Sequence, residues 1–306
     1  MAGLQEKVDV ALGESRILVL GTQVLVGFGF RSTLEERFDE LSRLAQVTRL
    51  VSIALLLVAF VLLIAPAPFH QIREHGHDTA RLNSFTVLVV AIALAPFATA
   101  MGIDFAVAFS TVLGHVAGLI AGATAACTAI FFWYVLELFA HRHPGGEMKD
   151  EGPTPLHARI QHVLTEARVI LPGAQALLGF QFASILVTGF TKLPRSSQLV
   201  HLASLAMVAL ATILLIAPAA YHRIVEHGED TEHFHSTASK LVLSALPPLA
   251  LGVAGDFYVV ARKILGSTAA GIACAAAMLV FALVLWFALS FIRAERPRFS
   301  TRASSY

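Results

Sequence analysis

LLIAPAPFHQIREHGHDT, residues 62–79, returns as LLIAPAAYHRIVEHGEDT at residues 214–231. Across Ala65–Thr79 against Ala217–Thr231, 10 of 15 positions are identical, at a constant offset of 152 residues. The same offset carries Glu14-Ser-Arg16 onto Glu166-Ala-Arg168, Gly21-Thr-Gln23 onto Gly173-Ala-Gln175, and Asp104-Phe105 onto Asp256-Phe257. The chain is an internal duplication. Each copy of the stretch ends an apolar run with a proline, an aromatic and a histidine. A glycine-aspartate corner then leads into a second apolar run, as between two membrane-crossing helices.

Composition agrees with that reading. Of 306 residues, 56% are hydrophobic and 14% charged, and the mean hydropathy is +0.71. A soluble chain carries about 25% charged residues. Leu50–Ala67, Ser84–Ile103, Phe105–Leu136 and Ser267–Ile292 contain no Asp, Glu, Lys or Arg. Each is near or above the roughly 18–20 residues that cross a hydrocarbon core, and apolar on every face. The formal net charge of +1 gives no reason to expect nucleic acid as a partner; the expected partner is the lipid bilayer. The opening MAGLQEKVDVALGESR has no apolar core and does not read as a cleavable signal peptide. Cys127 and Cys274 sit in apolar runs and read as small core residues.

Comparing the halves predicts an all-α polytopic membrane protein with eight transmembrane helices in two four-helix repeats. The spans fall near Ser15–Phe30, Val47–Phe69, Arg81–Ile103 and Gly114–Ala140, then near Ala167–Phe182, Leu199–Tyr221, His233–Gly255 and Gly266–Ile292. Arg262-Lys263 mark the stretch near Asp256–Leu265 as interfacial, and by alignment Asp104–Leu113 too. The units are 1–140 and 158–306, joined by a polar Pro/Gly linker at 141–157. Four spans per unit is even, so the repeats are expected to run parallel, unlike the inverted repeats of many transporters. Placing the termini, the linker and the loops after each second span on one side gathers 14 of the 22 Lys and Arg there. Both termini are therefore expected in the cytoplasm of a multi-pass inner-membrane protein.

The pattern R-x4-G-x-Q-x-L-x-G-F stands at Arg16, Gly21, Gln23, Leu25, Gly27 and Phe28. It is followed by Leu62–Ala67 and the pair Phe69-His70. It recurs at Arg168, Gly173, Gln175, Leu177, Gly179 and Phe180, with Leu214–Ala219 and Tyr221-His222. It resembles a family of small four-span bacterial membrane proteins, common in actinobacteria and known only as a domain of unknown function. The resemblance covers nearly all of both halves and implies a fused tandem pair. It further implies that single-unit relatives dimerise, so the repeats would form an intramolecular pseudo-dimer, with homo-oligomers also open. Some relatives carry a sodium:proton antiporter label.

Two groups of residues are candidate sites. Gln23 and Gln175 lie mid-span, on stripes shared with Arg16 and Arg168. A buried amide is costly unless bonded and often bonds across helices, so these read as a helix–helix seam or the lining of a path. Asp104 and Asp256 read as caps of an interfacial helix or as an ion entrance. The second group is the acid-histidine corner: His70, Glu74, His75 and Asp78, with His222, Glu226, His227 and Asp230. Gly76 and Gly228 are expected to end one helix in the left-handed conformation, and Asp78 and Asp230 to cap the next. Zinc needs about four ligands; His75, His77, His227, His233 and His235 are the further candidates. No nucleotide loop, HExxH, nucleophile elbow or zinc-type Cys/His set occurs. No cofactor and no enzymatic activity are expected. A small-ion or proton translocator is the first reading. A non-enzymatic membrane module that responds to pH or metal through the corners, or a scaffold, is the other.

Overall fold

The computed structural model describes residues 4–135, 154–224 and 230–291; the side chains of residues 4–17 lie outside that description. Among the described residues there is no strand. Helix α1 spans Leu4–Ser32, α2 Arg43–Ile64, α3 Ala80–Leu113 and α4 His115–Ile130. In the second half α5 spans Leu156–Ile185, α6 Arg195–Ile224, α7 Glu232–Leu265 and α8 Thr268–Leu283. Single turns at Glu36–Asp39 and Thr188–Thr191 bridge the first and second helices of each half.

Six helices are long and apolar enough to cross a membrane: Arg43–Arg73, Ala80–Ser110, Leu156–Ile185, Arg195–Ala219, Glu232–Leu265 and Thr268–Ala288. Leu18–Ser32 and His115–Ile130 are shorter apolar helices. The core belongs to both halves, because one apolar cluster joins Ile53, Leu57 and Phe60 of α2 to Ile170 of α5 and Leu246 and Leu249 of α7. Trp286 donates its indole N–H to the Val61 carbonyl at 2.8 Å, bringing the last turns of the second half against α2.

Helix α1 packs along α5. Gln23 meets Gly173, Gly27 and Phe28 meet Phe180, and Leu34 meets Gly189, so the contacts advance in the same sense along both helices. α3 and α4 pack antiparallel through small residues at four-residue spacing: Gly102, Ala106 and Ser110 against Gly118, Gly122 and Ala126. Interfaces of this kind hold helices together where surrounding lipid removes the hydrophobic drive.

Two expectations need correction. Asp104–Leu113 and Asp256–Leu265 are not separate interfacial helices; they are the last turns of α3 and α7. No apolar break stops the helix at Ile103 or Gly255, and the chain turns only at Gly114 and Gly266, both at positive φ. Asp104 and Asp256 therefore cap nothing. The third helices are capped by Thr79, which accepts from the Leu82 N–H, and Thr231, which accepts from the Phe234 N–H. Asp78 and Asp230, one residue earlier, point elsewhere.

The corner itself forms as the glycine demands. Gly76 takes φ +77° and His75 precedes it at φ +53°. Ahead of the corner, Phe69–Arg73 form one π-helical turn. Such wide turns recur at functional sites, and this one carries His70 and Gln71. The matching corner at Glu226 and His227 lies outside the described residues, as does most of the 141–157 linker; α5 begins at Leu156, inside it.

Candidate functional site

The π-turn delivers two consecutive side chains to one carboxylate of the other half. His70 Nδ1 lies 2.6 Å from Glu166 Oε1, and Gln71 donates its amide N–H to Oε2 at 2.7 Å. His70 is fully buried and Glu166 is 1% exposed. Ser239 of α7 donates to Gln71 Oε1 at 2.7 Å, so three helices close on Glu166. One helical turn before Glu166, His162 places Nδ1 3.4 Å from Asp78 Oδ1. The rings of His70 and His162 meet edge to face at 5.5 Å. His70, Asp78 and His162 bring one ligand atom each within 4.8 Å of the others. Glu74 is buried beside them, and its Oε1 has no hydrogen-bond partner.

A rim of more open groups surrounds this cluster. Arg159 donates to Glu232 at 2.9 Å, to His235 Nδ1 at 3.2 Å and to the His75 carbonyl at 3.4 Å. His75 itself is exposed. The Thr154 N–H donates to His77 Nδ1 at 3.2 Å, which selects the neutral ring. Partial burial, and then the Arg159 guanidinium, push the His77 pKa below its ordinary value. In the second half His222 lies 3.6 Å from Asp230, which His157 also contacts. His233 is exposed.

A second polar set sits toward the other end of the bundle. Arg49 pairs with Asp104, and Ser52 donates to the same carboxylate at 2.6 Å. His201 Nδ1 lies 2.8 Å from Asp256 Oδ1, and Gln181 donates to Oδ2 at 2.7 Å. His201 Nε2 faces the Gln181 carbonyl at 3.1 Å. Both ring nitrogens thus face oxygen atoms of neighbouring groups. A cavity of about 20 Å³ borders Gln181, His201 and Asp256, room for one water.

Between the two sets stands Gln23. It is fully buried, and neither its amide N nor its O has a hydrogen-bond partner. Its Oε1 fills the notch left by Gly173, where a Cβ would fall 1.1 Å away. Gln175 is exposed, and a Cβ added at Gly21 would meet nothing within 4 Å. The two glutamines are thus not in equivalent surroundings, and the expected bond across helices is not made by Gln23. Arg168 is exposed; the side chain of Arg16 lies outside the description.

The profile of a family of unknown function, DUF6328, matches the chain twice, over residues 5–137 and 154–290. The chain belongs to that family. It holds two DUF6328 units in tandem. No curated protein and no solved structure matches it.

The two DUF6328 units share the second set and differ in the first. Arg49 and His201, Ser52 and Ser204, and Asp104 and Asp256 are equivalent by the 152-residue offset. His70 and Asp78 correspond to His222 and Asp230, but His162 corresponds to Val10 and Gln71 to Arg223. Of the expected corner residues, His70, Glu74 and Asp78 come together; of the further metal candidates, His75, His77, His233 and His235 do not join the group at ligand distance, and His227 lies outside the described residues. Glu166, His162 and His201 were missed. Glu166 stood in view in the repeated Glu-x-Arg, and His162 lies one turn before it on the same helical face. Arg49 and His201 share the 152-residue offset, and each pairs with the aspartate of its own unit.

Proposed function

We propose that this tandem DUF6328 protein is an eight-span inner-membrane protein that translocates a proton or small cation along the seam between its two units. The units lie side by side in the same sense, with both termini in the cytoplasm, and no enzymatic step is involved. The observation that carries this reading is Glu166, 1% exposed and held by His70 and Gln71 of the other unit. Ionisable groups inside membrane helices are expensive and mark ion pathways. A buried pair is a poor device for stability alone, since apolar side chains of similar volume often do as well.

The placement along α5 supports a path. His162 and Glu166, then Gly173 with Gln23 against it, then Gln181 with His201 and Asp256, follow one another on a single helix. At about 1.5 Å per residue, His162 to Gln181 covers about 29 Å, close to the ~30 Å hydrocarbon thickness. An open recess of about 820 Å³ beside Arg49 and Asp104 gives solvent access to the second polar set in the first unit.

The test is flux in proteoliposomes under imposed pH, Na⁺, K⁺ and Zn²⁺ gradients. Flux above protein-free vesicles, lost in Glu166→Gln and Asp256→Asn, is the expected result. No flux in any gradient rejects translocation.

A further inference from the structure

We propose that His70, His162 and Asp78 bind a divalent transition-metal ion of the Zn²⁺ class where the two units meet. All three side chains are buried, and their ligand atoms lie within 4.8 Å of one another. His70 comes from the π-turn after α2, Asp78 from the corner beyond it, and His162 from α5 of the other unit. Two imidazoles and a carboxylate suit zinc and its neighbours. Magnesium and calcium prefer an all-oxygen set.

The spacing fits. Zinc–ligand bonds of about 2.0–2.2 Å put tetrahedral ligands about 3.4 Å apart. His162 Nδ1 and Asp78 Oδ1 are separated by 3.4 Å. That is longer than the roughly 2.7–2.9 Å of a charge-assisted hydrogen bond. The remaining separations are at most 4.8 Å, up to about 1.4 Å beyond the tetrahedral spacing.

The orientation of His70 is an independent pointer. Its Nδ1 is engaged by Glu166, and its Nε2 is buried with no hydrogen-bond partner. A buried nitrogen left in that state is uncommon and needs a reason. In metal sites a ligating imidazole gives its other N–H to a carboxylate, which fixes the ring. Glu166, itself pinned by Gln71, stands where that carboxylate belongs, and Nε2 is the nitrogen it leaves for a cation.

Charge points the same way. Glu74, Asp78 and Glu166 are three buried carboxylates around two imidazoles, and a dication offsets what the histidines do not. Glu74 Oε1 is buried without a partner but does not join the three ligand atoms within 4.8 Å, so water is the candidate fourth ligand. The exposed His75 and the Thr154-bonded His77 stay outside the set.

The site does not require transport, since resident and transported ions give the same binding curve. Full-length protein, stripped with chelator and held in detergent micelles, is titrated with Co²⁺ and then Zn²⁺. We expect one Co²⁺ per chain with the visible absorption of four-coordinate cobalt, displaced by Zn²⁺ and not by Mg²⁺. Glu166→Gln weakens binding roughly 10–100-fold, as loss of an orienting carboxylate does, and His70→Ala and His162→Ala weaken it further. His162→Cys keeps the stoichiometry and adds a thiolate-to-cobalt charge-transfer band, which a merely structural histidine would not produce. His233→Ala, at an exposed histidine outside the group, leaves the titration unchanged. Absence of the four-coordinate spectrum in the wild type overturns the site. So does an unchanged titration in His162→Ala, or a His162→Cys protein without the new band. Binding without flux rejects translocation and leaves the site standing; flux of H⁺ or Na⁺ without binding rejects the site alone.

Discussion

Arg49 and His201 stand in equivalent places of the two units, and each closes on the aspartate of its own unit, Asp104 or Asp256. One cation is permanent and the other is an imidazole whose two nitrogens both face acceptors. The same aspartate is thus held in both units, by different side chains.

His201→Leu leaves Asp256, 3% exposed, with Gln181 as its remaining donor. Removing one partner of a buried pair is expected to destabilise by about 3–5 kcal/mol. His201→Arg, which imports the first unit's solution, should recover part of that loss. Thermal melts in a single detergent check both; a His201→Leu protein that melts with the wild type contradicts the pairing.

Gly173 and Gln23 make a second, steric prediction. A Cβ at residue 173 would overlap Gln23 Oε1 and approach its Cβ to 2.8 Å, so the glutamine cannot escape by swinging its tip alone. Gly173→Ala should cost about 1–3 kcal/mol, the usual range for overpacking. Gln23→Ala in the same protein should return most of it. Non-additivity of the two changes in thermal melts is the readout; simple additivity would show that the two residues do not meet.

The small-residue interface of α3 and α4 is less forgiving. A Cβ at Gly122 would sit 2.5 Å from the Gly102 carbonyl oxygen, and a backbone atom cannot rotate away. Gly122→Val is expected to push α4 off α3 and lower the melting temperature more than Gly173→Ala does. Equal or smaller loss would mean that α4 is not held by this contact.

Much of this architecture was legible in the residues, and the reasons for the remainder are physical. The 152-residue repeat and the uncharged runs exposed the helices, because crossing lipid demands long apolar segments whatever their partners. Gly76 announced its left-handed corner. Thr79 was passed over as a cap because Asp78 beside it has the stronger capping propensity; burial against His162 drew the aspartate away. Glu166 with His70 could not be read from either unit, since the contact joins residues 96 positions apart across the repeat seam. Comparing the halves hid it further: offset alignment finds what the units share, and His162 faces Val10 in that alignment. The unequal surroundings of Gln23 and Gln175 are invisible for the same reason.

The capping assignment separates two neighbours by experiment. Thr79→Ala should destabilise by about 1 kcal/mol through loss of the Leu82 N–H bond and leave Co²⁺ binding intact. Asp78→Asn should do the reverse, keeping the helix start and losing the metal. Similar binding losses in the two variants would place both residues in one structural role.

The last prediction asks whether the cluster at Glu166 exists for stability. The combined replacement His70→Leu/Gln71→Leu/Glu166→Leu removes together the Glu166 carboxylate and both side chains that hold it, so none of the three is left without its partner. Buried ionic sets replaced this way are often neutral or more stable by about 1–4 kcal/mol. We expect the triple variant to fold, to melt no lower than the wild type, and to lose both Co²⁺ binding and flux. Single replacements at Glu166 cannot make this distinction, because they strand His70 and Gln71 and destabilise for that reason alone. A triple variant that folds and still carries ions at the wild-type rate would remove this cluster from the path and leave Gln181, His201 and Asp256 as the groups to examine.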